Sequence, residues 1–451
     1  MCVDNSHEKR AAEPTHTSSR PLLPGEDPFY EPPPGFESLP PGTILRARGV
    51  EIALFGVVPQ KVSAWQVLYR SCDLNLRPEA AVTTVLLPAG TDPAQPRPLL
   101  AYQCAIDAVA DRHFPSYALR RGARSPGCVP QFELLVVANA LLRGWAVSIA
   151  DHEGRGGHFG APREPGYRVL DGIRAAMSFE PLGLDPDTPV AVWGYSGGGM
   201  ASSWVVEVAS VYAPEIGIVG AVLGAPVGDP GQTLLKLNGT RLAGLPAMVI
   251  AAIRHIYPDL NRLIRTHVNL TGLHRLDEIE KLGTIAAIMR FRYDDLDDYT
   301  DEPLADLLAT PEVVTIIDDL RLGMRAPTCP LLVVQAVHDQ FIDVEDVDGQ
   351  VRRYLDAGAH VEYLRDRLSE HITLMPLSAP IALDWLTDRI AGRPLPAPGI
   401  KTVWSTAWSR KGIRGLLRMA LVAAKVVMGR PLTPRSSGPH TAHARDRRPA
   451  A

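Results

Sequence analysis

The sequence predicts an α/β fold in which a mostly parallel β-sheet is covered by helices on both faces. Apolar runs of strand length alternate with helix-length segments along most of the chain, which is the pattern of such a layered fold. Polar loops with Asp, Ser or His follow several predicted strands, and parallel sheets collect functional loops at that edge. A mainly helical block interrupts this rhythm at residues 229–323, and we interpret it as a cap inserted into the sheet domain.

Composition indicates a large globular protein with no bulk affinity for nucleic acid. Of 451 residues, 46% are hydrophobic, enough for a sizeable core, and 46 basic and 50 acidic residues leave a net charge of -4. The five cysteines are scattered and odd in number, so neither a metal site nor a disulfide framework is predicted, although one pair remains possible. No cofactor is predicted. The cysteines are Cys2, Cys72, Cys104, Cys128 and Cys329.

The predicted elements define two core segments around the cap. Residues 1–26 are rich in proline and polar residues and are expected to be disordered. The first core segment is 27–228 and the second is 324–398. Strands are predicted at 81–87, 99–103, 146–150, 190–193, 216–223, 331–335 and 361–364, and helices at 132–143, 167–179, 197–206, 346–357 and 378–391.

A strand, a Gly-x-Ser-x-Gly motif and a helix of small residues follow one another at residues 190–206. This order is typical of a nucleophile elbow, a sharp turn that lifts the Ser196 hydroxyl above the sheet. Gly194 and Gly198, on either side of Tyr195 and Ser196, leave room where strand and helix crowd the turn. The backbone N–H of Gly197 is expected to face the reacting oxygen. The alternative is an ordinary glycine-rich turn.

A nucleophilic serine needs a histidine base and a carboxylate that orients it, in the chain order Ser, Asp, His for this kind of elbow. Asp339 follows the predicted strand 331–335, and His371 follows 361–364. Asp343 is the second candidate for the acid. His152 precedes the elbow and is predicted to support the site. A capping role for Asp339 and a surface position for His371 are the non-catalytic alternatives.

Further segments resemble one known family. They are 27–30, 41–45, 101–102 with Asp107, Asp-His-Glu-Gly at 151–154, Leu-Asp-Gly-Ile-Arg-Ala at 170–175, 194–198, 212–215 and 369–371. Together they resemble the secretory lipase family typified by fungal lipase A, with actinobacterial members. The resemblance implies an α/β-hydrolase with a helical cap and a triad of Ser196, Asp339 and His371.

The resemblance also implies an oxyanion hole made by the Gly197 N–H and the Asp107 side chain. A carboxylate cannot donate a hydrogen bond, so Asp107 would have to be protonated, as burial can achieve by raising its pKa. The alternative is an ordinary helix-capping aspartate.

Proteins of this family are usually secreted. Residues 1–10 lack the apolar region of a signal peptide, so a cytoplasmic or membrane-surface location is expected.

Two charged stretches lie outside the predicted core. An acidic patch in the cap, at residues 294–302, lacks the spacing of an EF-hand loop and is predicted to be a solvated turn rather than a calcium site. The tail 399–451 is basic, since eleven basic and no acidic residues lie between Arg389 and Arg445. Residues 411–429 form a predicted helix with a basic stripe beside a broad apolar face. Contact with a membrane and packing on the body both remain open for this helix.

These features together predict a carboxylic ester hydrolase, lipase-like, that cleaves lipid or small esters through an acyl-enzyme intermediate. Two alternatives remain. An acyltransferase would use the same acyl-enzyme with an acceptor other than water, and a lipid- or membrane-binding protein would keep the fold without catalysis.

Overall fold

The computed structural model describes residues 20–92 and 95–433. Its strands are β1 (Ile44–Gly49), β2 (Ala53–Leu54), β3 (Val58–Pro59), β4 (Val62–Cys72), β5 (Pro78–Pro88), β6 (Leu99–Gln103), β7 (Ala146–Ala150), β8 (Val190–Tyr195), β9 (Ile218–Gly224), β10 (Leu331–Ala336), β11 (Val361–Asp366) and β12 (Gly399–Val403). Its α-helices are α1 (Pro115–Ala118), α2 (Pro130–Leu142), α3 (Glu164–Met177), α4 (Gly197–Tyr212), α5 (Pro230–Leu237), α6 (Gly244–Ile253), α7 (Pro258–His267), α8 (Leu270–Ile279), α9 (Thr284–Arg290), α10 (Leu304–Leu308), α11 (Pro311–Leu320), α12 (Val344–Asp356), α13 (His371–Ile390) and α14 (Arg410–Val427).

Ten of these strands form one sheet, in the order β1-β4-β5-β7-β6-β8-β9-β10-β11-β12. The strands from β6 to β12 are mutually parallel, whereas β1, β4 and β5 form an antiparallel edge. One apolar core lies between the sheet and α3, α4 and α12, and a second lies between the opposite face and α2, α13 and α14. Every residue of the central strand β8 is buried, as expected when helices cover both faces. The predicted fold class is confirmed.

The cap consists of helices α5 to α11, which follow β9 and precede β10. Its own apolar core includes Met248, Ala251 and Phe291, and it joins the body through Met200 and Trp204 of α4. Because β9 and β10 are adjacent in the sheet, the inserted helices leave and re-enter the body near its centre. The cap is therefore placed close to the end of β8, where the candidate nucleophile lies.

The sheet extends beyond the predicted end of the core at residue 398, because β12 pairs in parallel with β11. Helix α14 then packs on the body, and its Gly415 lies against Pro380 of α13. The long strand β4, which lies between β1 and β5 in the sheet, was not predicted. Its alternation is weak because nearly every residue after Ala64 is buried, so it lacks the polar face that marks a half-buried strand.

Helix α13 begins at His371, seven residues before the predicted start. A capping box begins it, since the Glu370 side chain accepts from the backbone of Thr373 and the Thr373 hydroxyl accepts from the backbone of Glu370. Pro376 and Pro380 lie inside the helix, although proline usually marks a helix boundary. His371 therefore stands on the first turn of a helix rather than on a loop.

Residues 1–26 were predicted to be disordered. Residues 20–26 are ordered and contain a turn in which the Glu26 N–H donates to the Leu23 carbonyl. Residues 1–19 and 434–451 lie outside the described part of the chain. The four cysteines that the structure describes are buried free thiols, and no helix among the described residues is long and apolar enough to cross a membrane.

A buried ion cluster joins α3 to the antiparallel edge of the sheet. Arg168 is fully buried and lies 2.8 Å from Glu79 and 2.9 Å from Glu164, and it donates to the His152 carbonyl. Burial opposes ionisation of Glu164, but Arg168 and His158 outweigh it and lower the pKa of this carboxyl to about 2. The Asp-His-Glu-Gly loop is thereby tied to α3.

We expect Arg168→Met to lower the free energy of unfolding by about 3–5 kcal/mol, because it leaves the buried Glu164 carboxylate without its cation. Chemical denaturation followed by circular dichroism measures this loss. Arg262→Met is the matched control, since Arg262 pairs with Asp259 on the surface and should cost less than about 1 kcal/mol. Equal losses in the two variants would contradict a structural role for the buried cluster.

Candidate active site

Ser196 lies at a strained turn between β8 and α4. Its backbone has φ 55° and ψ −122°, a conformation that a non-glycine residue adopts only when its surroundings enforce it. The Ser196 N–H donates to the Gly224 carbonyl of β9 at 2.8 Å. A Cβ at Gly194 would lie 2.1 Å from the Gly198 carbonyl oxygen, and one at Gly198 would lie 2.0 Å from that of Gln103. The predicted requirement for glycine at both positions therefore has a steric cause.

The structure brings the three predicted side chains together. His371 Nε2 is 2.9 Å from Ser196 Oγ, and His371 Nδ1 is 2.8 Å from Asp339 Oδ2. With a carboxylate accepting at Nδ1, the imidazole keeps its proton there, and Nε2 is free to accept the serine proton. The arrangement can generate a nucleophilic serine alkoxide without any large movement.

Asp339 and His371 are each held in place by their surroundings. Asp339 Oδ1 accepts from the backbone N–H groups of Phe341 and Ile342 at 2.8 and 3.0 Å. The Phe341 ring stacks on the imidazole with a centroid distance of 4.3 Å. The buried Tyr195 hydroxyl donates to the His371 carbonyl at 2.6 Å. Little reorganisation is left for the moment of reaction, because the acid and the base are already oriented.

Neither Asp343, the second candidate for the acid, nor the two histidines next to β10 and β11, His338 and His360, hydrogen-bonds to the serine, whose hydroxyl contacts His371. Asp343 is half-exposed and pairs with Lys236 of the cap at 2.6 Å, so the second-choice acid instead joins body and cap. His338 is exposed. His360 lies at the opposite edge of the sheet, where its carbonyl accepts from the Leu331 N–H at the start of β10.

Asp107 lies beside Gly197, as the resemblance implied. A Cβ added to Gly197 would lie 1.9 Å from Asp107 Oδ1, which places the carboxyl against the start of α4. Asp107 Oδ1 is buried and has no hydrogen-bond partner among the described residues. Burial raises the pKa of this carboxyl to about 7, against a smaller lowering by His371. A protonated Asp107 can therefore donate a hydrogen bond toward the site at neutral pH.

The backbone around Asp107 is held from two sides. Asp107 has φ 44°, and its N–H donates to Glu153 of the Asp-His-Glu-Gly loop at 3.1 Å. Its carbonyl accepts from the Thr284 hydroxyl of the cap at 3.1 Å. Asp107 is thus a point at which β6, the body loop and the cap meet, rather than a simple helix cap.

A layer of buried polar side chains supports the loop that carries Asp107. Glu133 accepts from the Ala105 N–H at 3.0 Å, and burial raises its pKa to about 8. His152 Nε2 lies 2.9 Å from the Cys104 carbonyl, and burial lowers its pKa to about 4, so this histidine is neutral and structural, as predicted. Glu133 was not predicted, although a lone acidic residue inside the apolar α2 segment is a signal for such a role.

A cavity of about 220 Å³ extends from this site into the cap. Asp107, Ser196 and Gly197 lie at its floor, and most of the remaining wall is aliphatic side chains of α5 to α11, among them Leu234, Ile250, Leu263 and Ile316. Pockets of this kind bind ligands mainly through apolar contact with a few placed polar groups. This one suits a hydrophobic chain attached to a polar reacting group.

The acidic residues at 294–302 form local hydrogen bonds and ion pairs within the helical cap. Asp295 accepts from the Asp297 N–H, and Asp294 pairs with Arg275. In the described part of the chain, no group of three or more His, Cys, Asp or Glu side chains is arranged to hold a metal ion.

The helix-covered parallel sheet, the serine on a strand-to-helix elbow and the cap inserted between β9 and β10 define an α/β-hydrolase. The solved structure of Candida antarctica lipase A has the same fold, with a TM-score of 0.82 and 24% identity, and it aligns over 92% of this chain and all of its own. A family profile described as secretory lipase matches residues 119–397. The chain belongs to the secretory lipase family.

Two relatives are similar over most of the chain. A protein of Mycobacterium tuberculosis named a probable inactive lipase is 53% identical over 92% of this chain and 93% of its own length. Lipase A of Arthroderma benhamiae is 36% identical over 82% of this chain and 81% of its own. Family membership supports lipase-like ester hydrolysis, and the first relative makes activity a question for this chain's own residues.

Proposed function

We propose that this protein is an active carboxylic ester hydrolase that cleaves esters of hydrophobic acids through Ser196, His371 and Asp339. The observation that carries the proposal is the pair of hydrogen bonds linking Ser196 Oγ, His371 and Asp339 at 2.9 and 2.8 Å. Such a connected series is what serine nucleophiles require, whatever the chain order.

In acylation, Ser196 Oγ attacks the ester carbonyl carbon while its proton passes to His371 Nε2. The negative charge that develops on the carbonyl oxygen is stabilised by the Gly197 N–H and the protonated Asp107 carboxyl. The C–O bond to the alcohol then breaks, His371 protonates the departing alkoxide, and the acyl group remains on Ser196. Asp339 stabilises the imidazolium throughout.

Deacylation repeats the sequence with water as the nucleophile. His371 Nε2 takes a proton from water, the hydroxide attacks the acyl-enzyme, and the same two donors stabilise the second oxyanion. Collapse of the second tetrahedral intermediate returns the proton from His371 to Ser196 Oγ and releases the carboxylic acid.

An acyltransferase would differ only in placing an alcohol where the water attacks. Adding an alcohol during turnover separates the two activities by the ratio of new ester to free acid.

The non-catalytic alternative is favoured by one observation, the name of the mycobacterial relative. Labelling with a fluorophosphonate probe tests it directly, because the probe reacts only with a serine activated by a working base. We expect stoichiometric labelling at Ser196, together with hydrolysis of p-nitrophenyl esters. A folded protein that neither reacts with the probe nor hydrolyses these esters would overturn the proposed function.

The cap cavity leads us to expect a preference for long acyl chains. Ile250 lines the cavity, and Ile250→Trp would fill part of it. Each methylene excluded from apolar burial costs about 0.8 kcal/mol, or roughly fourfold in kcat/KM. We expect Ile250→Trp to lower kcat/KM for p-nitrophenyl palmitate by more than tenfold while leaving the acetate ester nearly unchanged. A uniform loss across chain lengths would place the acyl chain elsewhere.

A further inference from the structure

Helix α14 has two apolar faces, of which only one is used by the fold. Its inner face, which includes Gly412, Val422 and Val426, is buried against α2 and α13. Its outer face carries Ile413, Leu417 and Leu421 at intervals of four residues, and Met428, directly after the helix, lies two turns beyond Leu421 on the same side. Leu417 and Leu421 are 63% and 67% exposed. Packing on the body therefore uses one apolar face of α14 and leaves the other exposed, so it does not prevent contact between the exposed face and a membrane.

A basic face separates the two apolar faces on one side of this helix. Lys411, Arg414 and Arg418 project between them and line a polar crevice of about 330 Å³ shared with α2 and α13. The crevice also contains Asp384 and Asp388, which pair with Arg143 and Arg393. Within the described residues, Lys411, Arg414 and Arg418 have no ion pair, so their positive charge is not neutralised by the fold.

The segment leading into α14 exposes two tryptophans on the side of the sheet where the candidate active site lies. Trp404 follows β12 directly, and its carbonyl accepts from the Leu368 N–H just beyond the end of β11. Trp404 and Trp408 are 64% and 71% exposed. Exposed tryptophan is enriched where a protein meets the boundary between lipid and water, since the indole has an apolar body and a polar N–H.

From these observations we propose that residues 404–428 form a binding surface for an anionic lipid layer. The outer apolar face of α14 and the two tryptophans enter the headgroup region, and Lys411, Arg414 and Arg418 contact lipid phosphates. The positive charge of this segment favours an anionic lipid layer as the occupant, because no acidic residue lies between Arg389 and Thr433. An apolar helix face with basic residues along its border is the pattern of helices that lie in a membrane interface.

A second copy of the chain is the main competing occupant. Pairing two α14 helices would bring their unpaired basic side chains close to one another, which opposes association at low salt. An anionic surface is attracted by the same charges, at about 1 kcal/mol or roughly fivefold in affinity for each basic residue. Raising the salt concentration should therefore weaken binding to an anionic surface and favour pairing of two copies.

Vesicle co-sedimentation of the full chain tests the proposal. We expect binding to vesicles of phosphatidylcholine with phosphatidylglycerol, little binding to phosphatidylcholine alone, and loss of binding as salt rises. Leu417→Glu with Leu421→Glu should weaken binding more than tenfold. Arg414→Gln with Arg418→Gln should weaken it by about 25-fold on the anionic vesicles only.

Val211→Glu is the matched control, since Val211 is an exposed apolar helical residue in α4, in the helix layer on the opposite face of the sheet. It should leave vesicle binding unchanged. All variants should keep native circular dichroism and fluorophosphonate labelling, so that failure of this proposal is distinct from failure of the proposed function. Absence of vesicle binding in the wild type, equal loss in the Val211 control, or a dimer in light scattering that Leu417→Glu dissociates would overturn it.

Discussion

Ser196→Ala is expected to lower kcat for p-nitrophenyl butyrate by about a millionfold, with the fold unchanged. Removal of Oγ eliminates the proposed nucleophile, and residues of such a series act as a unit. What activity remains would come from the oxyanion donors and from substrate binding. Initial rates over a range of substrate concentrations, with circular dichroism as a check of folding, measure the loss.

Ser210→Ala is the control for this variant. Ser210 lies on the same helix as the elbow but is exposed near its other end, so its removal should change kcat less than about twofold, like most surface substitutions. Should Ser196→Ala retain activity comparable to the control, the nucleophile would have to be another residue.

Asp107→Ala is expected to have the second largest effect, lowering kcat by about 100- to 1,000-fold, the usual cost of one oxyanion donor. Asp107→Asn keeps an N–H donor at the same place and should retain far more activity. This ordering follows from the requirement for a donor. If Asp107 acted through its negative charge, the Asn variant would be as impaired as the Ala variant.

The same residue predicts the alkaline limb of the pH profile. Burial raises the pKa of Asp107 to about 7, so the donating, protonated form prevails below that pH. As pH rises through about 7, the carboxyl loses its proton and places a negative charge beside the forming oxyanion, and kcat should fall. In Asp107→Asn this decline should disappear. A wild-type kcat that stays flat up to about pH 9 would contradict the protonated-donor role.

Much of the fold could be predicted because burial leaves a periodic trace. Helices α2, α3 and α12 were predicted within a few residues of their ends. α3 and α12 each have an apolar face of helical period, whereas α2 is buried on almost all sides. Strand β4 was missed because it is buried on both faces and loses its alternation. The predicted start of α13 is seven residues late, and the segment left out contains the capping box at Glu370 and Thr373 and the internal Pro376.

The residues of the candidate site likewise fall into those that the sequence predicted and those that it did not. Ser196 could be named from local order alone, because a strand, a tight glycine turn and a helix are all encoded within 17 consecutive residues. Asp339 and His371 followed from their positions after strands. Glu133, Glu153 and Thr284 were not predicted to act on the loop of Asp107, since each lies at least 26 residues from Asp107 in the chain and only folding brings it to that loop.

The sequence by itself determined the fold class, the candidate nucleophile with its acid and base, and the amphipathic character of α14. Each of these features follows from the local pattern of polar and apolar residues and from the order of motifs along the chain. The tertiary structure alone showed the burial that raises the pKa of Asp107, the extent of the cap cavity and which face of α14 stays exposed. The physical reason is that pKa shifts, cavities and exposed faces depend on what surrounds a group in space, and residues distant in the sequence supply those surroundings.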